Sequence, residues 1–182
     1  MAFSLSLLIA ATACAAPKAT PPASQAKPNA SIPAASQPQA LNSVAQAAAN
    51  AGVRSCLPTI EKIGNFATAN TRNRAYVFLP ATNADQQVTS ASYELELPNK
   101  AIAYATMTTA PTKDGNCDAL YETVTYWSGA CADVAAKGYP QAKLAGALQQ
   151  QILMLQGAGN VRIFLMPAGT QGCVAIKKEV VY

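Results

Sequence analysis

The chain contains no histidine. That absence excludes Ser-His-Asp and Cys-His nucleophilic mechanisms, imidazole metal ligands and the usual proton shuttle at neutral pH. Charge is also sparse, at 12% of 182 residues, with 13 Lys+Arg against 9 Asp+Glu. Two of the basic residues, Lys18 and Lys27, lie outside the region that reads as folded, so that region carries only about +2, too little and too scattered for a nucleic-acid footprint. The basic pairs Arg72/Arg74 and Lys177/Lys178 read as solvated faces. No apolar run is long enough to span a bilayer. The longest, Ala2 to Ala13, is followed by Cys14, and a spanning helix needs about 20 residues.

That run fits the apolar core of an export signal. It closes on Ala11-Thr12-Ala13-Cys14 and is similar to a bacterial lipoprotein signal ending in a lipobox, in which the cysteine becomes the acylated first residue. Two departures stand out. No Lys or Arg precedes Phe3, and Ala occupies the position three before Cys14, where the family pattern has Leu. The alternative is soluble secretion, with Ala13-Cys14-Ala15 as an ordinary A-x-A cleavage site. Cysteine parity favours the lipoprotein. Of five cysteines, assigning Cys14 to lipid leaves Cys56, Cys117, Cys131 and Cys173, an even set that leaves no free thiol in an oxidising compartment. Multiple acyl chains give the stable anchoring that one does not, and Ala15 is compatible with an outer-membrane lipoprotein facing the periplasm. The expected organisation is a signal peptide at 1–13, a lipidated cysteine and tether at 14–40, and one domain at 41–182.

The tether is rich in Ala, Pro, Ser and Gln and has no aromatic residue. Such a composition does not offset its ordering entropy and predicts disorder. As a coil it would span roughly 30 Å, and as an extended polyproline-like chain roughly 80 Å.

The domain reads as α+β. The expected order is ααββββααββ: an antiparallel sheet of five to six strands, helices on one face, stapled by disulfides. Ser43 is placed to cap a helix running to Arg54, and Pro58 suits the first turn of a second, where Ile60, Ile63 and Ala67 recur at helical spacing. Ala75–Leu79 is a short strand. In Ser90–Leu97, Tyr93, Leu95 and Leu97 alternate with Glu94 and Glu96, the mark of a half-buried strand. Ala101–Thr109 and Leu120–Trp127 follow as strands, and Ser128 is placed to cap a helix through Lys137. Leu144, Leu148, Ile152 and Leu155 recur at i, i+4, i+8 and i+11, which predicts a longer helix from Pro140. Val161–Met166 and Cys173–Tyr182 follow as a hairpin, the last strand holding Val174, Ile176, Val180 and Tyr182 at period two. Four thiols allow three connectivities. The pairing adopted is Cys56–Cys117 and Cys131–Cys173, which ties each helix to a strand. No C-x-x-C spacing points to zinc, and no cofactor is expected.

Candidate chemistry is thin. Glu94 and Glu96 share a strand face roughly 7 Å apart, a spacing open to a glycosidase pair; alternation alone explains them as a polar face. Asp114, Asn116 and Asp118 have D-x-N-x-D calcium-loop spacing, but Ala119 and Thr125 replace the glycine and glutamate such a loop needs. Gly157-Ala158-Gly159 lacks a third glycine and precedes a strand, so it is not a dinucleotide loop. Tyr121 and Trp127 share one face of a strand and Tyr126 the other, where core packing on both sides is the simpler account.

One further resemblance concerns the C-terminal part. Cys131-Ala132-Asp133 in a helix and Cys173-Val174-Ala175-Ile176-Lys177 in a late strand resemble the surroundings of the disulfide in outer-membrane secretin pilotins, small lipoproteins with helices on a short antiparallel sheet. Cys56 and Cys117 fall outside the pattern. The resemblance implies a groove between helix and sheet that binds an amphipathic helix of a secretin subunit. The leading expectation is broader: a non-enzymatic, membrane-tethered envelope lipoprotein that acts as a protein-interaction or assembly module. A secretin pilotin and a carboxylate-dependent cell-wall glycan enzyme are the alternatives. The partner and oligomeric state stay open.

Overall fold

A computed structural model describes residues 41–182; the expected signal, Cys14 and the expected tether lie outside them. The elements run α1 (Ser43–Asn50), α2 (Leu57–Thr68), β1 (Arg72–Phe78), a 3-10 turn at Ala84–Gln86, β2 (Thr89–Glu96), β3 (Ile102–Pro111), β4 (Cys117–Ser128), α3 (Cys131–Gly138), β5 (Lys143–Leu148), β6 (Ile152–Gln156), β7 (Val161–Ala168) and β8 (Gly172–Val181). All eight strands join one antiparallel sheet in the order β1-β2-β3-β4-β8-β7-β6-β5. The domain is therefore mainly β, with more strands than the sequence suggested and the order ααββββαββββ.

The difference lies at Pro140–Leu155. No long helix forms there; β5 and β6 make a hairpin. The four residues that suggested a helical stripe become cross-strand partners, Leu144 opposite Leu155 and Leu148 opposite Ile152. Spacing that is near-symmetric about Gln150 satisfies both geometries. Two local features tip it to a hairpin. Gly146 (φ +133°) takes a conformation no helix uses, and Gln149 (φ +50°) turns the chain. The tertiary demand is the exposed edge of β7, which β6 pairs.

Two caps also differ from expectation. Asn42, not Ser43, caps α1: its Oδ1 accepts from the Ala45 N–H at 2.9 Å, while its Nδ2 donates to the Glu61 carbonyl at 3.1 Å and to Asn65 at 3.0 Å. One side chain thus caps α1 and ties it to α2. A Cβ at Gly64 would stand 2.8 Å from that Asn42 amide, so the helix crossing requires glycine there. Ser128 ends β4, and α3 begins after Ala130 without a side-chain cap.

The register puts both cores on one face of the sheet. Under α1 and α2 lie Ala91, Tyr93, Leu95, Ala105, Met107 and Tyr121; against α3 lie Leu155, Ile163, Leu165 and Ala175. In the pairing of β4 with β8, Tyr121 faces Glu179 and Thr125 faces Ala175. The two cores therefore share a face, at diagonally opposite ends of the central strand pair.

The described residues form helix and four-stranded meander twice, α2 with β1–β4 and α3 with β5–β8, and α1 precedes the first unit. In the last hairpin of each half the sequence itself repeats at a spacing of 56 residues: Pro111, Cys117, Ala119, Val124 and Tyr126 correspond to Pro167, Cys173, Ala175, Val180 and Tyr182. The register repeats with it. Met107 pairs Tyr121 and Pro111 pairs Cys117, while Ile163 pairs Lys177 and Pro167 pairs Cys173. Each half is stapled alike. Cys56, just before α2, is bonded to Cys117 at the start of β4, and Cys131, opening α3, is bonded to Cys173 near the start of β8. The Cα–Cα distances are 5.0 and 5.1 Å.

Two predictions follow from these staples and from one loop anchor. The bridges close spans of 61 and 42 residues. The entropy that a crosslink removes from the unfolded chain grows only logarithmically with span, so each contributes about 4 kcal/mol, nearly equally. Denaturant titration of Cys56→Ala/Cys117→Ala and of Cys131→Ala/Cys173→Ala is expected to give losses that match within about 1 kcal/mol. The anchor is Asp85, whose carboxylate accepts from the Arg54 and Ser55 N–H groups and from Ser55 Oγ. Those backbone donors hold its pKa below the ordinary value of 3.8. A depressed folded pKa gives stability that is complete above the unfolded value and lost as pH falls through the folded one. The melting-temperature gap between wild type and Asp85→Asn should be constant above about pH 5 and close in more acid solution.

Candidate interaction surface

Among the described residues no helix packs on the second face of the sheet; both apolar clusters draw on the first. Three rows cross the second face. The first is apolar and runs over five strands: Tyr104, Val124, Ile176, Phe164 and Met154 oppose one another in sequence. Beside it, Tyr126, Val174 and Met166 form a second row, with Ile102 and Ile152 at its ends. On the other flank lies a polar row: Ser92, Thr106, Glu122, Lys178, Arg162 and Gln156.

In these two rows Val124, Ile176, Phe164, Met154, Val174 and Ile152 are half-buried, and the remaining four side chains are exposed. Tyr126 is 62% exposed, Ile102 57% and Tyr104 48%. With strands about 4.8 Å apart and alternate residues about 7 Å apart, the band measures roughly 20 Å by 10 Å. The band is continuous across five strands and uncovered among the described residues, which makes it the candidate surface of this domain. Tyr126 is therefore not the core residue the sequence suggested. Its ring lies over Gly172, where an added Cβ would stand 2.7 Å from it and 2.6 Å from the Ala168 carbonyl. The glycine lets an aromatic ring lie flat on the sheet.

Tyr121 and Trp127 occupy the covered face. Tyr121 is buried with Phe66 edge-on to it at 5.8 Å. Burial, with Glu179 nearby, pushes its pKa up to about 12. Burial likewise pushes Tyr93 to about 12, so both hydroxyls stay neutral and their role is packing. Trp127 stacks toward Tyr139 at 6.3 Å and donates its indole N–H to Thr125 Oγ1. Lys177 sits 5.8 Å over the Phe66 ring, and Lys178 forms a 2.6 Å ion pair with Glu122. The two lysines therefore point to opposite faces and form no joint basic site.

The carboxylates Glu94 and Glu96 do share the second face. Glu96 is engaged by Lys100 at 2.7 Å and Arg72 at 3.7 Å, and Glu94 lies opposite Arg74. Asp114, Asn116 and Asp118 line a polar hollow beside the Cys56–Cys117 bridge. Among the described residues no group of three or more acidic or cysteine ligands converges. A separate apolar groove runs between α3 and the β5–β6 hairpin, lined by Ala132, Ala135, Ala136, Tyr139, Leu144 and Leu153. The chain matches no protein-family model, no curated protein and no solved structure.

The sequence signal for the second face was present but divided. Val174, Ile176 and Val180 were visible as a period-two strand. Its alignment with Val124, Phe164 and Met154 depends on register across strands far apart in sequence. Gly172→Ala should lower stability by about 1–3 kcal/mol through the Tyr126 and Ala168 clashes; an unchanged denaturation midpoint would contradict the close packing.

Proposed function

We propose that this chain is a non-enzymatic envelope protein, lipidated at Cys14 and held at the outer membrane on its tether, which binds a protein partner through the uncovered sheet face. The observation that carries the reading is the apolar band itself. A soluble monomer with eight strands and a single helical layer would be expected to make its second face polar, as β2 does with Ser90, Ser92, Glu94 and Glu96. In β3, β4, β8, β7 and β6 two of the three rows on that face are lined instead by Tyr, Val, Ile, Phe and Met. Two disulfides support an oxidising, exported compartment, and among the described residues no helix is long and apolar enough to cross a membrane.

The groove between α3 and the β5–β6 hairpin supports a second reading, a secretin pilotin that takes up an amphipathic helix of a secretin subunit. The glycan-enzyme alternative has less behind it, because Glu96 is committed to ion pairs with Lys100 and Arg72.

Photo-crosslinking in the native envelope separates these readings. A crosslinker at Phe164 is expected to yield one dominant protein adduct, and one at Ala136 in the groove none. A secretin adduct from position 136 would favour the pilotin. Tyr126→Ala should weaken capture of the adducted partner ten- to hundredfold, as central aromatic contacts do. Cys14→Ser should release the protein from the membrane fraction; its retention there would overturn the lipid anchor.

A further inference from the structure

Among the described residues the sheet ends in two edge strands that pair on one side only, β1 and β5. A strand edge presents unpaired N–H and C=O groups and is a template for another strand. β5 is protected by an irregularity: its register shifts between Leu144 and Gly146. β1 is not. All seven residues pair with β2 without a break, and none is proline. Four of its side chains, Arg72, Arg74, Tyr76 and Phe78, stand on the uncovered sheet face, opposite Glu96, Glu94, Ser92 and Ser90. Tyr76 and Phe78 are 67% and 55% exposed, stacked edge-on at 4.9 Å with nothing above them among the described residues.

The sequence of β1, Arg-Asn-Arg-Ala-Tyr-Val-Phe, is complementary to itself when two copies run antiparallel. With Ala75 on the twofold axis, Arg74 opposes Tyr76 of the second copy and Arg72 opposes Phe78. Asn73 opposes Val77 on the covered face. Every side chain then meets a partner on its own face, as the alternation of strands requires. Positive residues on an edge repel a like strand only where cation meets cation. Here each guanidinium lands beside an aromatic ring, directly opposed side chains being about 5 Å apart, within cation–π range. We propose that β1 pairs with β1 of a second copy of this chain, joining two eight-stranded sheets into one continuous sheet. Such an isologous contact closes as a dimer, and it places the two uncovered faces side by side. A seven-residue edge is less than a standard interface, so the expected dissociation constant is on the order of micromolar.

The test uses the full chain with Cys14→Ser, so that no free thiol remains besides any introduced one. Sedimentation velocity over a concentration series should show a monomer–dimer equilibrium. Tyr76→Lys places lysine opposite Arg74 and should weaken the dimer at least tenfold, whereas Tyr76→Glu places a carboxylate there and should leave it intact or tighter. Both variants remove the same exposed ring, so lost packing alone would affect them equally. Ala75→Cys, on the axis, should form an intermolecular disulfide on mild oxidation, and Asn73→Cys, which opposes Val77, should not. A monomer at every concentration, equal weakening by both Tyr76 variants, or crosslinking from position 73 rather than 75 would each overturn the proposal.

Discussion

The pairing of β4 with β8 is the constraint on which the rest of the domain depends. It runs for ten residue pairs, from Ala119 opposite Val181 to Ser128 opposite Gly172. Each half on its own is a four-stranded meander with a bare final strand. Pairing the two final strands antiparallel removes both inner edges and relates the halves by an approximate twofold axis normal to the sheet. That axis falls between Glu122 and Lys178, which occupy equivalent positions in the repeat and face each other at 2.6 Å. Two identical halves would place like charges there, which is unfavourable between directly opposed residues. The divergence to glutamate and lysine turns the repulsion into an attraction. As a partly exposed pair it contributes on the order of 1 kcal/mol or less, but it opposes register slippage at the centre of the sheet.

The same axis explains why the helices share a face yet leave a gap. Parity fixes Cys117, Ala119 and Tyr121 on the side occupied by Cys173 and Ala175, so both helical layers must lie there. The twofold then sends α2 and α3 to opposite ends of the β4–β8 pair, each held by its own disulfide. Between them the covered face carries Thr123, Lys177 and Glu179, none of them fully buried. Two small cores rather than one large one leave each half short of apolar area. Disulfides are the usual compensation for small cores.

Much of this was legible in the residues. The strand Tyr93-Glu94-Leu95-Glu96 was plain because its two faces differ in polarity, and α2 was plain because Pro58 and the Ile60/Ile63/Ala67 spacing agree. What sequence could not resolve was a segment whose apolar spacing serves two geometries. Leu144, Leu148, Ile152 and Leu155 suit a helix stripe and a hairpin equally, and the decision is tertiary: β7 needs a neighbour, and Gly146 breaks a helix. The cap at Asn42 was displaced by one residue because its choice over Ser43 depends on reaching Glu61 and Asn65 in the next helix. The internal repeat was written in the chain, in Pro111/Pro167, Cys117/Cys173 and Tyr126/Tyr182, but intervening loops of unequal length confine it to the last hairpin of each half.

The two faces of β4 differ in what covers them. Its odd positions from Cys117 to Tyr121 enter the core, while Leu120, Val124 and Tyr126 form part of the open side. A strand with apolar residues on both faces belongs, by the usual logic, in the middle of a sandwich. Here one side of that sandwich is filled by α1, α2 and α3, and the chain supplies no described element for the other. The polar row through Glu122, Lys178 and Arg162 limits the apolar band on one flank, so the open side resembles half of an interface, with a dry strip and a charged margin. The free energy that would come from covering the strip is therefore available for association, and that free energy is what the proposed binding role draws on.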